Sequence, residues 1–418
     1  IDRGEFAVAG VLQMVSASRG GGIALRAILA VAFLLVPVTL MGATLPLLSK
    51  TIGRSGATRG KRIGLLYAIN TVGAVSGCVF AGLYGIESFG YTKTTCIAAA
   101  VNIGIGLIAY AAGWIVPGAN DEPDATGARP IEASAKGAPL VLLAFAISGF
   151  CTLALEVLWT RLLSLVFIGT TYAYTAMLAS ILAGIAIGGL LGAALADRTK
   201  SAAFALGVVE CAAGIACAAT LIFIELLPKT VQQLQHWFLP NFDGQMAVLF
   251  ASSFTVLLVP TILIGMTFPF AVRAVTTSHA RLGNDVGLLY GLNTFGGVMG
   301  AIAGGYILLP ALGAHRAVVA LGAVLAAVGI ALTVTSARRR SIKSALLIAM
   351  ACAGAFVVSR LPRDVSQSLN MSYLPPGHRM VAYREGIEGT VAVSEPEGNV
   401  GNSNRALWIN GVQATQSI

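Results

Sequence analysis

A fourteen-residue segment of this chain occurs twice, and that repeat constrains the fold more than any other feature. Residues 64–77, GLLYAINTVGAVSG, return as GLLYGLNTFGGVMG at 287–300, with nine of fourteen positions identical at an offset of 223. The same ungapped offset aligns Gly90 with Gly313. A shared apolar composition would not place so many Gly, Asn and Thr residues in one register. The sequence therefore predicts two copies of one helical bundle.

The composition predicts that the chain folds in a lipid bilayer. Hydrophobic residues make up 56% of the chain and charged residues only 11%, and the mean hydropathy is +0.81. Because a helical span needs about 20 mostly apolar residues, the apolar runs predict about ten spans in an all-α polytopic membrane protein. The runs are 23–48, 63–88, 94–116, 142–167, 171–195, 202–227, 245–272, 285–311, 315–336 and the shorter 344–359.

The repeat also predicts the organisation of the chain. Residues 140–336 would hold a complete six-helix repeat and residues 1–116 the second half of another, so we expect three further spans upstream. The whole would then be a duplicated, major-facilitator-like bundle of twelve spans. Residues 117–139, rich in Pro, Gly, Ala and acidic residues, predict a cytoplasmic linker. Residues 337–360 predict a basic loop and an additional helix, and 361–418 predict a short β segment because apolar and polar residues alternate.

Basic residues indicate which side of the membrane is cytoplasmic. The loop at 50–62 contains five Lys and Arg residues and no acidic residue, and the loop at 338–343 contains four. Alternation of the spans puts both loops on one side, which the positive-inside rule assigns to the cytoplasm. If 344–359 spans, the tail from 361 is extracytoplasmic; if it lies in the interface, the tail is cytoplasmic. The expected partner is the lipid bilayer, with a membrane protein complex or a homo-oligomer as further options, and not nucleic acid.

Five polar residues within the predicted spans are candidates for a substrate site, because polar groups in hydrocarbon usually face the bundle interior. Glu156 and Arg161 lie five residues apart on one helix, so each should meet a neighbouring helix, either as a substrate or proton site or as a helix–helix clamp. Glu210 would suit a cationic substrate such as a polyamine, or a structural hydrogen bond. Asn70 and Asn293 lie on glycine stripes, which favours interhelical packing. The six cysteines show no metal-ligand spacing, so no metal site is predicted.

Several segments together resemble one family. They are ISGFCTLALEVLWTRLLSLVFIGTTYAY at 147–174, the repeated LLYxxNTxGxxxG, GMTFPF at 265–270 and the tail from YREGIEGTVAV to LWINGVQAT. They look like bacterial membrane proteins that fuse a transporter-like bundle to a spermidine-synthase-like domain, whose small amino-terminal β-domain the tail resembles. The resemblance implies a Rossmann-like, methyltransferase-type domain, which this chain does not contain. No catalytic residue can therefore be assigned here.

A shorter resemblance concerns one loop. The segment GGLLGAALADRTKS at 188–201 is similar to the cytoplasmic loop motif of major-facilitator transporters, with Asp197 and Arg198 at the matching positions. The later basic run of that motif is reduced here to Lys200. The loop falls on the side that the Lys and Arg distribution assigns to the cytoplasm.

Three classes of function are consistent with these features. The family resemblance implies aminopropyl transfer to an amine by the missing domain, and decarboxylated S-adenosylmethionine is an expected cofactor only if that domain is a true aminopropyltransferase. The bundle by itself suggests a transporter of an amine or another small metabolite. The third class is a non-catalytic membrane subunit or scaffold of a larger assembly. Because decarboxylated S-adenosylmethionine is cytosolic, an extracytoplasmic tail would disfavour the transferase.

Overall fold

The computed structural model describes residues 19–52, 59–115, 138–167, 169–196, 198–238, 241–276, 282–336, 340–397 and 405–416. Most of the described residues lie in helices. They are α1 (Arg19–Ile52), α2 (Arg59–Val79), α3 (Ile86–Ile115), α4 (Ala138–Phe167), α5 (Thr171–Ala196), α6 (Ala202–Phe238), α7 (Phe242–Val275), α8 (Leu282–Ala303), α9 (Leu309–Ser336), α10 (Arg340–Arg360) and α11 (Val365–Met371). Four strands follow: β1 (His378–Glu385), β2 (Thr390–Pro396), β3 (Ala406–Ile409) and β4 (Val412–Gln416).

Seven helices in the described ranges are long and apolar enough to cross a membrane, which does not support the expected count of ten spans. Two of the seven, Leu65–Ala112 and Asn284–Ser336, run for 48 and 53 residues where the sequence predicted two spans each. A single glycine interrupts each of them, and no loop of several residues separates the two parts. The first apolar run contains only a shorter apolar helical segment, Val31–Thr44.

The two interruptions have the same backbone conformation. Gly90 has φ 74° and ψ 171°, and Gly313 has φ 76° and ψ 161°. Residues with a side chain essentially never adopt this conformation, so glycine is required at both positions. A π-helical segment precedes each glycine, at Phe80–Gly85 and Gly304–Leu308. The two glycines are separated by the offset of the repeated segment, because 313 minus 90 is 223.

Glycines let the helices from α4 to α9 pack closely. The main pairs are α5 with α7, α6 with α9 and α4 with α8. A Cβ atom at Gly188 would lie under 3 Å from the backbone oxygen of Ile262, and one at Gly214 under 3 Å from that of Gly322. In lipid such close contacts stabilise helix pairs mainly through van der Waals packing. By contrast, α1 and α3 expose most of their apolar side chains, with Phe33 86% exposed, as helices that face lipid do.

The tail forms an antiparallel sheet in the order β1-β2-β3-β4, which confirms the predicted β segment. Ala392 pairs with Trp408 across β2 and β3, and both side chains are buried in a small core. The Trp408 indole Nε1 donates a hydrogen bond to Ser394 Oγ at 2.9 Å, which satisfies the buried polar end of the ring. Glu395 lies beside Arg379 and Arg405, and hydrogen bonding from these guanidinium groups, chiefly Arg379, lowers the pKa of its carboxyl.

Candidate functional site

The tail is attached to one end of the helical bundle by polar contacts with three helices. We call these contacts the docking interface. It lies where α4 ends and where α9 resumes after Gly313. Its hydrogen bonds join Arg161 to Glu388 and Thr390, Leu165 to Tyr373, Glu225 to Ser368, Ala314 to Glu385, and His315 to Val365.

Glu385 at the end of β1 caps a helix of the bundle. The break at Gly313 leaves the backbone N–H groups that follow it without intrahelical acceptors, as at any helix start. The Ala314 N–H donates to Glu385 Oε2 at 2.8 Å, and the Tyr383 hydroxyl donates to Glu385 Oε1. A carboxylate is favourable at a helix N-terminus. Burial, and then the charge of Glu385, raise the pKa of Tyr383, so this phenol stays protonated as a donor.

The hydrogen bonds of Arg161 go to the tail and, among the described residues, to no neighbouring membrane helix, which differs from the helix-to-helix contact expected for it. Its Nη2 donates to Thr390 Oγ1 at 3.3 Å and its Nη1 to the Glu388 carbonyl at 3.5 Å. The physical reason is position: Arg161 lies less than two turns before the end of α4, and a long side chain there reaches beyond the helix end. Its Nε is buried and has no hydrogen-bond partner among the described residues.

Two further contacts hold α11 against the bundle. His315, which is 8% exposed, accepts a hydrogen bond at Nδ1 from the Val365 N–H at 3.4 Å, which requires Nδ1 to be unprotonated. Ser368 Oγ donates to Glu225 Oε1 at 3.4 Å. The sequence interpretation missed both bundle residues. Asp364 caps α11 by accepting a hydrogen bond from the Gln367 N–H. The sequence could have predicted this cap, because Asp is a preferred N-cap residue.

The remaining predicted candidates differ in their surroundings. Glu156 is half-buried and makes no hydrogen bond or ion pair with any described residue, so the clamp considered for it is not present in that part of the chain. Asn293 packs on α4, because its amide oxygen is 2.7 Å from the place a Cβ at Gly149 would take. Asn70, its counterpart in the repeated motif, is exposed. Interhelical packing is therefore seen for the second asparagine only.

The loop motif gives little structural information. Asp197 lies outside the described residues, and Arg198 is exposed in the turn after α5. Next to it, the Thr199 carbonyl accepts a hydrogen bond from Arg273 Nη2 at 3.3 Å, which ties the turn to the end of α7. Across the described ranges, no group of three His, Cys, Asp or Glu side chains could hold a metal ion.

Glu210 on α6 is separate from the docking interface. Its side chain is 0% exposed, and neither carboxyl oxygen has a hydrogen-bond partner in the described part of the chain. Ser148 on α4 lies beside the carboxyl without reaching hydrogen-bond geometry, and Cys151 and Cys217 are also close. Among the described residues, no hydrogen bond or ion pair joins any two of the five intramembrane candidates.

Known proteins provide no guide to these two sites. Comparisons with protein-family models, with curated proteins and with solved structures find no match to this chain. The docking interface and the buried Glu210 are therefore the features on which a functional argument can rest.

Proposed function

We propose that this chain is a non-catalytic membrane scaffold that holds a spermidine-synthase-like β-domain at one end of a duplicated, major-facilitator-like bundle. The observation that carries this proposal is the hydrogen bond from Ala314 N–H to Glu385, in which the tail completes a helix of the bundle. If the tail were held only by its covalent link to the last helix, this hydrogen bond would not be required. The paired breaks at Gly90 and Gly313, at the offset of the sequence repeat, support the duplication.

Apolar packing supports the same proposal. Val365 and Leu369 of α11 are 0% and 1% exposed and belong to the main core cluster of the bundle. Burying two such side chains contributes about 1.5–3 kcal/mol each. The hydrogen bonds around these side chains fix the orientation of the tail, because a hydrogen bond requires a defined geometry. Together they would hold the sheet in one orientation relative to the helices.

The position of the tail favours a scaffold over a cytosolic transferase. From Ala314 to Ser336, α9 rises about 33 Å at 1.5 Å per residue, so its last residue lies one bilayer thickness from the docking interface, and the basic loop predicted at 338–343 follows Ser336 in the sequence. If that loop is cytoplasmic, the tail faces the outside of the inner membrane. Aminopropyl transfer from decarboxylated S-adenosylmethionine would then lack its cytosolic co-substrate.

Replacing Glu385 by alanine should release the tail from the bundle. The change leaves Ala314 N–H and the Tyr383 hydroxyl without their acceptor, and hydrogen bonds to a charged group contribute about 1.5–3 kcal/mol. We expect hydrogen–deuterium exchange of backbone amides in residues 365–385 to rise roughly tenfold to hundredfold in the full chain.

The matched control is Glu397→Ala, which removes an exposed carboxylate after β2. Its exchange should equal that of the original chain. Equal exchange in Glu385→Ala and Glu397→Ala would contradict the proposal, because the contact between Glu385 and Ala314 that carries it would then not hold the tail on the bundle.

The sidedness of the tail is tested by cysteine labelling in intact cells. Glu397→Cys and Lys200→Cys place thiols at exposed positions in the tail and in the turn after α5. The background carries Cys96→Ala and Cys352→Ala, which removes two exposed native thiols. We expect a membrane-impermeant maleimide to label Glu397→Cys in intact cells and Lys200→Cys only after permeabilisation. If both cysteines are labelled only after permeabilisation, the tail is cytoplasmic and the cytosolic aminopropyltransferase becomes the favoured function.

A further inference from the structure

The buried carboxyl of Glu210 has no structural partner that explains it. A helix–helix clamp requires a donor in hydrogen-bond geometry, and neither oxygen has one among the described residues, since Ser148 lies beside the carboxyl without reaching that geometry. Cys151 and Cys217, which lie near it, are weak donors at best. An ionisable group in a membrane bundle is costly and is usually functional when it stays there.

The surroundings of Glu210 also disfavour an ionised resting form. An unpaired carboxylate in an apolar interior is so costly that such groups take up a proton instead. No set of three metal-ligating side chains is present in the described ranges, so a multiply coordinated metal ion does not balance the charge either. The ligand that fits one carboxyl among small, weakly polar side chains is a proton.

The packing of α6 is uneven around this group. Toward α9 it is rigid, because Gly207 and Gly214 leave no room for a Cβ against the backbones of Gly329 and Gly322. The contact between α6 and α4 is far smaller than those of α6 with α9 and α7. The α4 side, where Ser148 covers the carboxyl, is therefore the side that can open at least cost.

Glu210 lies a short distance along α6 from the aqueous phase. It lies eight residues after Ala202, the first residue of α6, or about 12 Å along the helix axis. That end carries the turn with Arg198 and Lys200, on the side that the charge distribution assigns to the cytoplasm. Water entering between α4 and α6 from that end would reach the carboxyl after about two turns.

We propose that Glu210 is a proton-binding site, protonated while α4 covers it and deprotonated to water when α4 moves away. The bundle would then couple proton release at its basic end to a movement of α4. Because α4 also carries Arg161 and Leu165 of the docking interface, this movement would reach the tail. The inference goes beyond the scaffold and does not depend on it.

Infrared spectroscopy of the full chain in lipid nanodiscs tests the proton site. At neutral pH the original chain should show a protonated-carboxyl C=O band that Glu210→Gln lacks and that Glu156→Gln, the control on α4, retains. On transfer to D2O the band should shift, because the proton exchanges when α4 opens. If Glu210→Gln does not fold, Glu210→Asp should move the same band to a new frequency.

Two outcomes would overturn the proposal. Identical protonated-carboxyl bands in the original chain and both Glu210 variants would mean that Glu210 is ionised. A Glu210 band that never shifts in D2O would mean a sealed, static acid. The site is supported if Glu210→Gln lacks the band and the band of the original chain shifts in D2O. This outcome does not depend on whether Glu385→Ala releases the tail.

Discussion

Replacing Gly300 by alanine should destabilise the bundle strongly, because the added methyl group collides with backbone. A Cβ at this position on α8 would lie under 3 Å from the carbonyl oxygen of Phe150 on α4, a separation that real Cβ atoms essentially never show. A backbone atom cannot move aside as a flexible side chain can, so the two helices must separate. We expect a loss of about 1–3 kcal/mol or more.

The internal repeat provides a matched control for this prediction. Gly77 occupies the equivalent position in the first copy, but no atom lies within 4 Å of its Cβ position in the described structure. Gly77→Ala should therefore be neutral or stabilising by up to about 1 kcal/mol, because alanine favours helix over glycine. Thermal unfolding in detergent can be followed by a thiol-reactive fluorophore, since Cys151, Cys211 and Cys217 are buried. Equal melting temperatures for the two variants would contradict the close contact between α4 and α8.

Replacing Trp159 by alanine should cost about 3–5 kcal/mol. The side chain is 1% exposed and is one of the largest that the core encloses, so its removal leaves a cavity that neighbouring helices cannot fill. The indole Nε1 also donates to Thr220 Oγ1 on α6 at 3.0 Å, which links α4 to α6. We expect the largest fall in melting temperature among these variants, measured by the same fluorophore.

The hydrogen bond can be separated from the packing by two milder variants. Trp159→Phe keeps most of the ring volume, and Thr220→Val removes the acceptor. Thr220→Val alone leaves the buried indole N–H unpaired, which costs about 1–3 kcal/mol, whereas in Trp159→Phe the Thr220 hydroxyl keeps its hydrogen bond to the Cys217 carbonyl. The double variant should be less destabilised than the sum of the two, because no unpaired indole N–H remains. Strict additivity would show that the bond contributes nothing.

Features that depend on short stretches of chain could be predicted from the sequence. The run at 171–195 corresponds to Thr171–Ala196 and the run at 245–272 to Phe242–Val275, because the length of an apolar segment is a local property. The β tail could be predicted for the same reason, since alternation has a period of two residues along one strand. The way consecutive helices are joined could not, because single glycines at positions 90 and 313 stand where hydropathy suggested loops.

Only the tertiary structure decided what each polar residue contacts. The sequence by itself determined that Glu156, Arg161 and Glu210 lie on apolar helices and that Asn70 and Asn293 repeat. It contained no information on distance between elements, so it did not show that Arg161 reaches the tail, that Glu385 caps α9, or that Glu210 has no donor in the described ranges. The two copies of the glycine motif also differ in their contacts, because a close contact requires a second helix packed at that position. Partners of this kind come from residues far apart in the chain, and no local pattern encodes them.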